Sequence, residues 1–312
     1  MSNRVLVTGA AGYVGSLLGR RLAADHHVAG TDIRARADLP FTVSRMDVRD
    51  PALADLLRAE RIDHVVHLAS VLDAGRNRAL EFDIDVNGTR NVLGCCLDAG
   101  VGHITVTSSG AAYGYHADHP AWIDEDQPLR GNPEFAYADH KRRIEEMLAE
   151  HRQRHPQLRQ LVLRPGTILG AATDNLITAL FRAKRMLAIR GADSPFVFIW
   201  DEDVVGAIEY GLRNDLVGTY NLAGDGALTV HQIAAILGKP VLELPASLVR
   251  SALWLGRRVG IGRYGPEQVD FLRYRPVLSN RRLKAEFGYR PQKTSEQTFR
   301  FYVEHARARG AL

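Results

Sequence analysis

Val5-Leu6-Val7-Thr8-Gly9-Ala10-Ala11-Gly12-Tyr13-Val14-Gly15 is the stretch on which the fold turns. Its opening apolar run suits a strand buried on both faces, and glycines at intervals of three then suit a tight turn into a helix. One such glycine lets the chain reverse, a second lets backbone approach a pyrophosphate, and a third lets helix and strand pack closely. Amide groups in the first turn of that helix would face the phosphates. About twenty residues further on, where this kind of site carries its acidic residue, the next apolar run ends at Asp32. A carboxylate there would bond both hydroxyls of a ribose and repel a 2′-phosphate, so NAD is expected in preference to NADP even with Arg34 and Arg36 close behind.

Outward from this turn the pattern repeats. Apolar runs at 4–7, 27–31, 41–45, 64–68, 103–107 and 160–163 alternate with helical patterns at 12–24, 51–60, 88–99 and 137–155. That alternation is the sequence form of βαβ units. It predicts an α/β fold, a doubly wound parallel sheet of the Rossmann type, over residues 1–166. Past Arg164-Pro165 the rhythm loosens. A helix at 203–213 and a strand near 219–222 read as a return to the sheet, which leaves 167–202 and 224–312 mainly for a smaller C-terminal substrate lobe. Thr229 reads as the cap of a helix over 228–237. A further helix over 245–260 carries Leu248, Leu253, Leu255 and Val259 beside Arg250, Arg257 and Arg258, and is expected to pack on the main domain or line a pocket.

Composition narrows the class. The 40 Lys and Arg against 36 Asp and Glu leave a net charge of +4 spread along the chain, so no nucleic-acid partner is expected. Cys95 and Cys96 are adjacent, without the spacing of a disulfide framework, which fits a reducing compartment. No apolar run reaches the length of a membrane span, and no apolar signal core follows Met1-Ser2-Asn3-Arg4, so a cytoplasmic protein without membrane partner is expected. The histidines show no metal-ligand spacing, and His67 reads as strand-end packing.

Tyr137 and Lys141, four residues apart in a helical stretch, fall on one helix face. Hydride transfer at an alcohol carbon needs a group that takes the hydroxyl proton. A phenol, with a reference pKa of about 10, is a weak base at neutral pH, but an adjacent ammonium favours its phenolate. Together with the glycine turn, five further segments in register resemble the extended branch of the short-chain dehydrogenase/reductase superfamily. They are Asp47-Val48-Arg49-Asp50, His67-Leu68-Ala69-Ser70, Ser108-Ser109-Gly110-Ala111-Ala112-Tyr113-Gly114, Tyr137-Ala138-Asp139-His140-Lys141 and Leu163-Arg164-Pro165. The resemblance implies a cofactor site of Gly9, Gly12, Tyr13, Val14, Gly15 and Asp32, with Asp47 and Val48 at the adenine. It places Leu68, Ala69 and Ser70 beside the phosphates and Pro165 beside the nicotinamide. Ser109, Tyr137 and Lys141 are the implied catalytic set, Lys141 also binding the nicotinamide ribose, and helices near 88–99 and 137–155 are by analogy a homodimer face. Asp85 stands where the family often has asparagine, so that asparagine's role does not carry over.

For the substrate, nucleotide-sugar members of the family imply an arginine just ahead of a late acidic segment, gripping a pyrophosphate. With Asp203 as anchor, that position here is Phe196, followed by Phe198 and Trp200. A pocket of Ser109, Gly110, Ala111, Phe196 and Trp200 without a cation is therefore expected. The insertion from Leu244 to Gly262, with Trp254, is similar to that of hydroxysteroid-type dehydrogenases. These features favour an NAD-dependent oxidoreductase moving hydride between the nicotinamide and an alcohol or ketone carbon of a small or apolar substrate. A nucleotide-sugar epimerase or dehydratase with Arg273 or Arg275 as replacement clamp is the alternative, and a non-catalytic NAD-binding protein the third reading.

Overall fold

The computed structural model of the chain describes residues 3–71, 77–259 and 265–312. Met1, Ser2 and the last residues of the late insertion, 260–262, lie outside the described residues. The strands β1 (Arg4–Thr8), β2 (His27–Asp32), β3 (Thr42–Arg45), β4 (His64–His67), β5 (His103–Thr107) and β6 (Arg159–Pro165) enter one sheet. The chain then forms β7 (Thr167–Leu169), β8 (Met186–Ile189) and β9 (Phe198–Trp200) outside it, rejoins it with β10 (Gly218–Leu222), and leaves again for β11 (Val241–Leu244). The sheet order is β10-β6-β5-β4-β1-β2-β3, parallel throughout. Two short parallel pairs, β7 with β9 and β8 with β11, stand apart from it.

The strand period of two sorts β1 between two cores. Leu6 joins a cluster with Leu53, Leu57, Val92, Leu93, Ile144 and Leu148, while Val5 and Val7 join Leu18, Leu22, Val204, Val205 and Ile208 on the opposite face. The first face is covered by α2 (Leu53–Ala59), α4 (Gly88–Ala99) and α5 (Ala136–Arg154), and the second by α1 (Tyr13–Leu22) and α7 (Asp201–Arg213). Between α2 and α4, α3 (Arg78–Phe82) runs through a π turn at Asp83–Asn87 straight into α4. The later chain adds α6 (Leu176–Arg182), α8 (Val230–Leu237), α9 (Ala246–Arg258), α10 (Gln268–Arg273) and α11 (Ser295–Ala308), whose Phe299, Tyr302 and Val303 pack with Phe181, Phe196 and Phe198. Strand order reverses between β1 and β4, the switch point at which open α/β sheets form their crevice.

The late strand β10 takes the seventh place in the sheet, at its edge beside β6. Other elements differ from the sequence expectation. Helix α7 begins at Asp201, two residues earlier than the apolar period indicates, because Asp201, Glu202 and Asp203 form its first turn, where acidic groups suit the helix dipole. Strands β8 and β11 carry no sequence signal; four residues each, they are too short for periodicity to separate from loop.

Candidate active site

The glycines of the turn have distinct steric duties. Gly9 has φ +69°, and a Cβ there would lie 2.9 Å from the backbone nitrogen of Ala69 at the exit of β4. A Cβ on Gly15 would sit 2.2 Å from the carbonyl oxygen of Gly9, so only glycine lets α1 lie this close to the turn. Asp32, 8% exposed at the end of β2, is held from both sides: the amide of Ala11 donates to Oδ2 (3.1 Å) and that of Arg34 to Oδ1 (2.9 Å). The ring of Tyr13 lines the cleft, but its hydroxyl donates to Asp201 at the start of α7. Burial, and then the Asp201 carboxylate, push that phenol above its ordinary range. Asp47 and Val48 line the same end of the cleft. The Asp47 carboxylate is taken by Arg49, Nε to Oδ1 at 2.9 Å and Nη2 to Oδ2 at 2.6 Å, which holds it below the usual carboxylate range. Ile33 and Met46 line this end too and had no signal beyond being apolar beside a strand end.

The chemistry-bearing residues converge at the other end of the cleft, whose volume is about 1540 Å³. Lys141 is buried and donates from Nζ to the carbonyl of Thr107 at the end of β5 (3.2 Å). Its Nζ lies 5.7 Å from the centre of the Tyr137 ring, one helical turn back on α5, and it forms no ion pair among the described residues. Ser109 ends the loop after β5, its Oγ accepting from the amide of Ala111 (3.1 Å) and so capping the short turn Gly110–Tyr113. Ser109, Gly110, Ala111, Tyr137, Lys141, Leu68, Ala69, Ser70 and Pro165 all line the cleft.

Two buried ionic networks brace this end. Arg164 donates from Nε and Nη2 to Glu145 (2.9 and 2.6 Å) and from Nη1 to the Tyr113 hydroxyl (2.6 Å), while Ser108 Oγ also donates to Glu145. This ties the serine loop to α5. Asp85, 2% exposed, accepts from the Val71 amide (2.8 Å) and Ser70 Oγ (3.1 Å) and lies 3.2 Å from His140 Nδ1. The carboxylate that replaces the family's asparagine thus joins the exit of β4 to the residue preceding Lys141. Burial alone would raise its pKa; His140 and the Lys141 charge lead the influences that hold it low.

The substrate side departs from the expectation in two respects. Trp200 does not belong to the cleft lining: its ring packs on Phe301 and under the ammonium of Lys293, 4.1 Å from the ring centre, and Phe198 is buried among Phe181, Phe196 and Phe299. Residues 198 and 200 share one side of β9, and that side packs into the C-terminal lobe against α11. The expected absence of a cation is also corrected. Arg275, 9% exposed, lines the cleft with its guanidinium carbon 3.7 Å from the centre of the Phe196 ring and 5.3 Å from that of Phe271. Its nitrogens donate to the carbonyls of Ser194 and Phe271, its Nε has no partner, and no carboxylate pairs with it among the described residues. Burial without an acid pushes its pKa below the ordinary arginine range. In sequence Arg275 is one of a run of late arginines; only the fold brings it onto Phe196.

A parallel sheet with a glycine turn at its switch point, and a Tyr–Lys pair facing a serine loop across one cleft, define a nicotinamide-dependent enzyme of the short-chain dehydrogenase/reductase type. The chain belongs to the NAD dependent epimerase/dehydratase family, which it matches over residues 5–223. It is 32% identical over 243 residues to the N-acetyl-alpha-D-glucosaminyl-diphospho-ditrans,octacis-undecaprenol 4-epimerase of Escherichia coli O157:H7, covering 75% of this chain and 71% of that one. An uncharacterized protein of Mycobacterium tuberculosis (strain ATCC 25618 / H37Rv) is 27% identical over 313 residues, 96% of this chain and 82% of its own. The crystal structure of the Thermus thermophilus UDP-glucose 4-epimerase in complex with NAD superposes with a TM-score of 0.77 at 26% identity, covering 99% of this chain and 100% of that one. NAD is the cofactor of the family.

Proposed function

We propose that this enzyme oxidises and reduces a carbinol carbon of a sugar carried on a diphosphate, in the manner of an epimerase. The observation that carries the reading is Arg275, a buried guanidinium at the cleft with no acid to balance it among the described residues. An uncompensated buried charge is costly, and an anionic ligand relieves that cost where a neutral one does not. Two similar proteins of named activity act on sugars attached to a diphosphate, one linked to undecaprenol and one to uridine. Their shared element is the group that Arg275 would meet.

In this reading the glycine turn and α1 hold the cofactor pyrophosphate, Asp32 a ribose, Asp47 and Val48 the adenine, and Pro165 flanks the nicotinamide. When bound, NAD supplies a hydride acceptor and, on return, a hydride donor. Ser109 orients the substrate hydroxyl. Tyr137 takes its proton as the carbon loses hydride, and gives it back when hydride returns. Lys141, anchored on Thr107, sets its ammonium one turn from the Tyr137 ring and bonds the nicotinamide ribose. Asp85 and Glu145 touch neither partner and act by positioning.

A specific test separates this from an oxidoreductase of uncharged alcohols or ketones, the reading that the aromatic wall of Phe196 and Phe271 favours. Calorimetry of the NAD-loaded protein with inorganic diphosphate should show binding that Arg275→Leu weakens at least about tenfold, the worth of roughly 1.4 kcal/mol, with NAD affinity unchanged. No diphosphate binding, together with NADH accumulating from a hydrophobic alcohol, would return the substrate to the uncharged class.

A further inference from the structure

Past Arg275 the cleft continues along α6, β8 and α9, and its lining there turns aliphatic: Leu176, Ile177, Leu180, Leu187, Val249 and Leu253. Several polar side chains in this stretch are already engaged, with the amide of Gln268 the further polar group on the wall. Asn175 Oδ1 caps α6, accepting from the amides of Ile177 (2.9 Å) and Thr178 (3.0 Å). Asp174 pairs with Arg182, and Arg257 with Glu267 at 3.6 Å. Phe271, the aromatic ring of this wall, is held against Tyr115 and Phe135 and beneath the Arg275 guanidinium. A nucleoside brings a base edge and ribose hydroxyls that each need a partner, and this wall supplies few.

The apolar surface does not stop at the mouth. Helix α9, whose Val249 and Leu253 face the cleft, presents Leu248 and Leu255 outward seven residues apart, with Val259 just past its end and Trp254 beside them, each more than half exposed. Residues 246–258 contain no acidic side chain. Exposed apolar groups in such a stripe mark a binding surface more often than isolated ones do.

We infer that the diphosphate of the substrate carries a long apolar chain of the prenyl-lipid type in place of a nucleoside, lying along α6 and α9 and leaving the cleft over the outer face of α9. This rests on the diphosphate reading above. Burial of each isoprene unit against the leucines adds affinity in proportion to apolar area, so affinity should grow with chain length.

The test titrates the NAD-loaded full chain with inorganic diphosphate, UDP, geranyl diphosphate and farnesyl diphosphate. Farnesyl diphosphate should bind at least tenfold more tightly than inorganic diphosphate, geranyl diphosphate in between, and UDP no more tightly than inorganic diphosphate. Leu253→Ser, and Leu180→Ser at a more exposed position of the same wall, should each reduce the farnesyl advantage at least threefold while leaving inorganic diphosphate and NAD affinities unchanged. UDP binding more tightly than farnesyl diphosphate, or a farnesyl advantage untouched by both leucine variants, overturns the chain and leaves the diphosphate reading standing. Failure of all four to bind overturns that reading itself, and this inference with it.

Discussion

At the scale of single residues, the reactive set is the part most open to direct test. Tyr137→Phe removes one hydroxyl from a half-buried side chain and leaves the ring in place. Turnover should fall at least about 100-fold, the usual contribution of a positioned acid or base, with NAD affinity and melting temperature nearly unchanged; near-normal turnover in a well-folded variant would take Tyr137 out of the mechanism. Asp32→Ala should narrow the preference for NAD over NADP, and calorimetry with both nucleotides checks it. That Ser109, Tyr137, Lys141 and the glycines of the turn share one cleft was legible in sequence, because it follows from backbone freedom or from spacing on one element. Arg275 and Trp200 were not, since their placement depends on which face of a late loop or strand packs inward. Nothing local distinguishes Arg275 from Arg273, whose guanidinium lies over Tyr274.

At the scale of elements, the serine loop, α5 and β6 are joined through Glu145 and Arg164, whose side chains are 6% and 8% exposed. Glu145→Ala would leave the guanidinium buried without an acid, at a cost of about 3–5 kcal/mol, and chemical denaturation should report it. A Glu145→Leu/Arg164→Leu pair should be less destabilised than the sum of its single changes, as expected when partners share one network. Helix ends are the elements whose sequence signals translate most directly into contacts. Thr229 caps α8 in a reciprocal box with Gln232, and Thr294 caps α11 likewise with Gln297, because Thr and Gln three apart can bond each other's amides. The Glu145–Arg164 pair, by contrast, spans nineteen residues and two elements, a separation without periodic signature.

For the molecule as a whole, acid should be more damaging than base near neutrality. His67, fully enclosed beneath the glycine turn between Thr8 Oγ1 (2.8 Å) and Thr89 Oγ1 (3.1 Å), has its pKa pushed down to about 4 by burial and then by the nearby Lys141 charge. His64, stacked on His103 at 4.2 Å, is also held low by burial. An unfolded histidine binds its proton near pH 6.5, whereas folded His67 stays neutral to about pH 4. The unfolded chain therefore holds more protons in that window, and stability falls as pH drops through it. The loss from His67 alone is about 3 kcal/mol. Denaturation midpoints measured from pH 7 to 4.5 should decline, and His67→Gln should flatten the slope; an unchanged slope would show that His67 does not carry it. The doubly wound architecture was legible because its repeat is local, whereas the strand pairs of the lobe depend on residues that meet only after the chain has doubled back.

The seventh strand of the sheet bears on the order in which the protein can be made. β10 pairs with β6 through residues 218–222, more than fifty positions after β6 ends at Pro165. Until a growing chain has delivered those residues, the outer edge of β6 presents bare amides and carbonyls, the template on which unrelated strands aggregate. Arg159 and Asp215, which pair beside this seam, stay apart for the same interval. A nascent chain paused between the two strands is thus the most vulnerable intermediate of its synthesis, and chaperone occupancy should peak there and fall once residue 222 has cleared the ribosome.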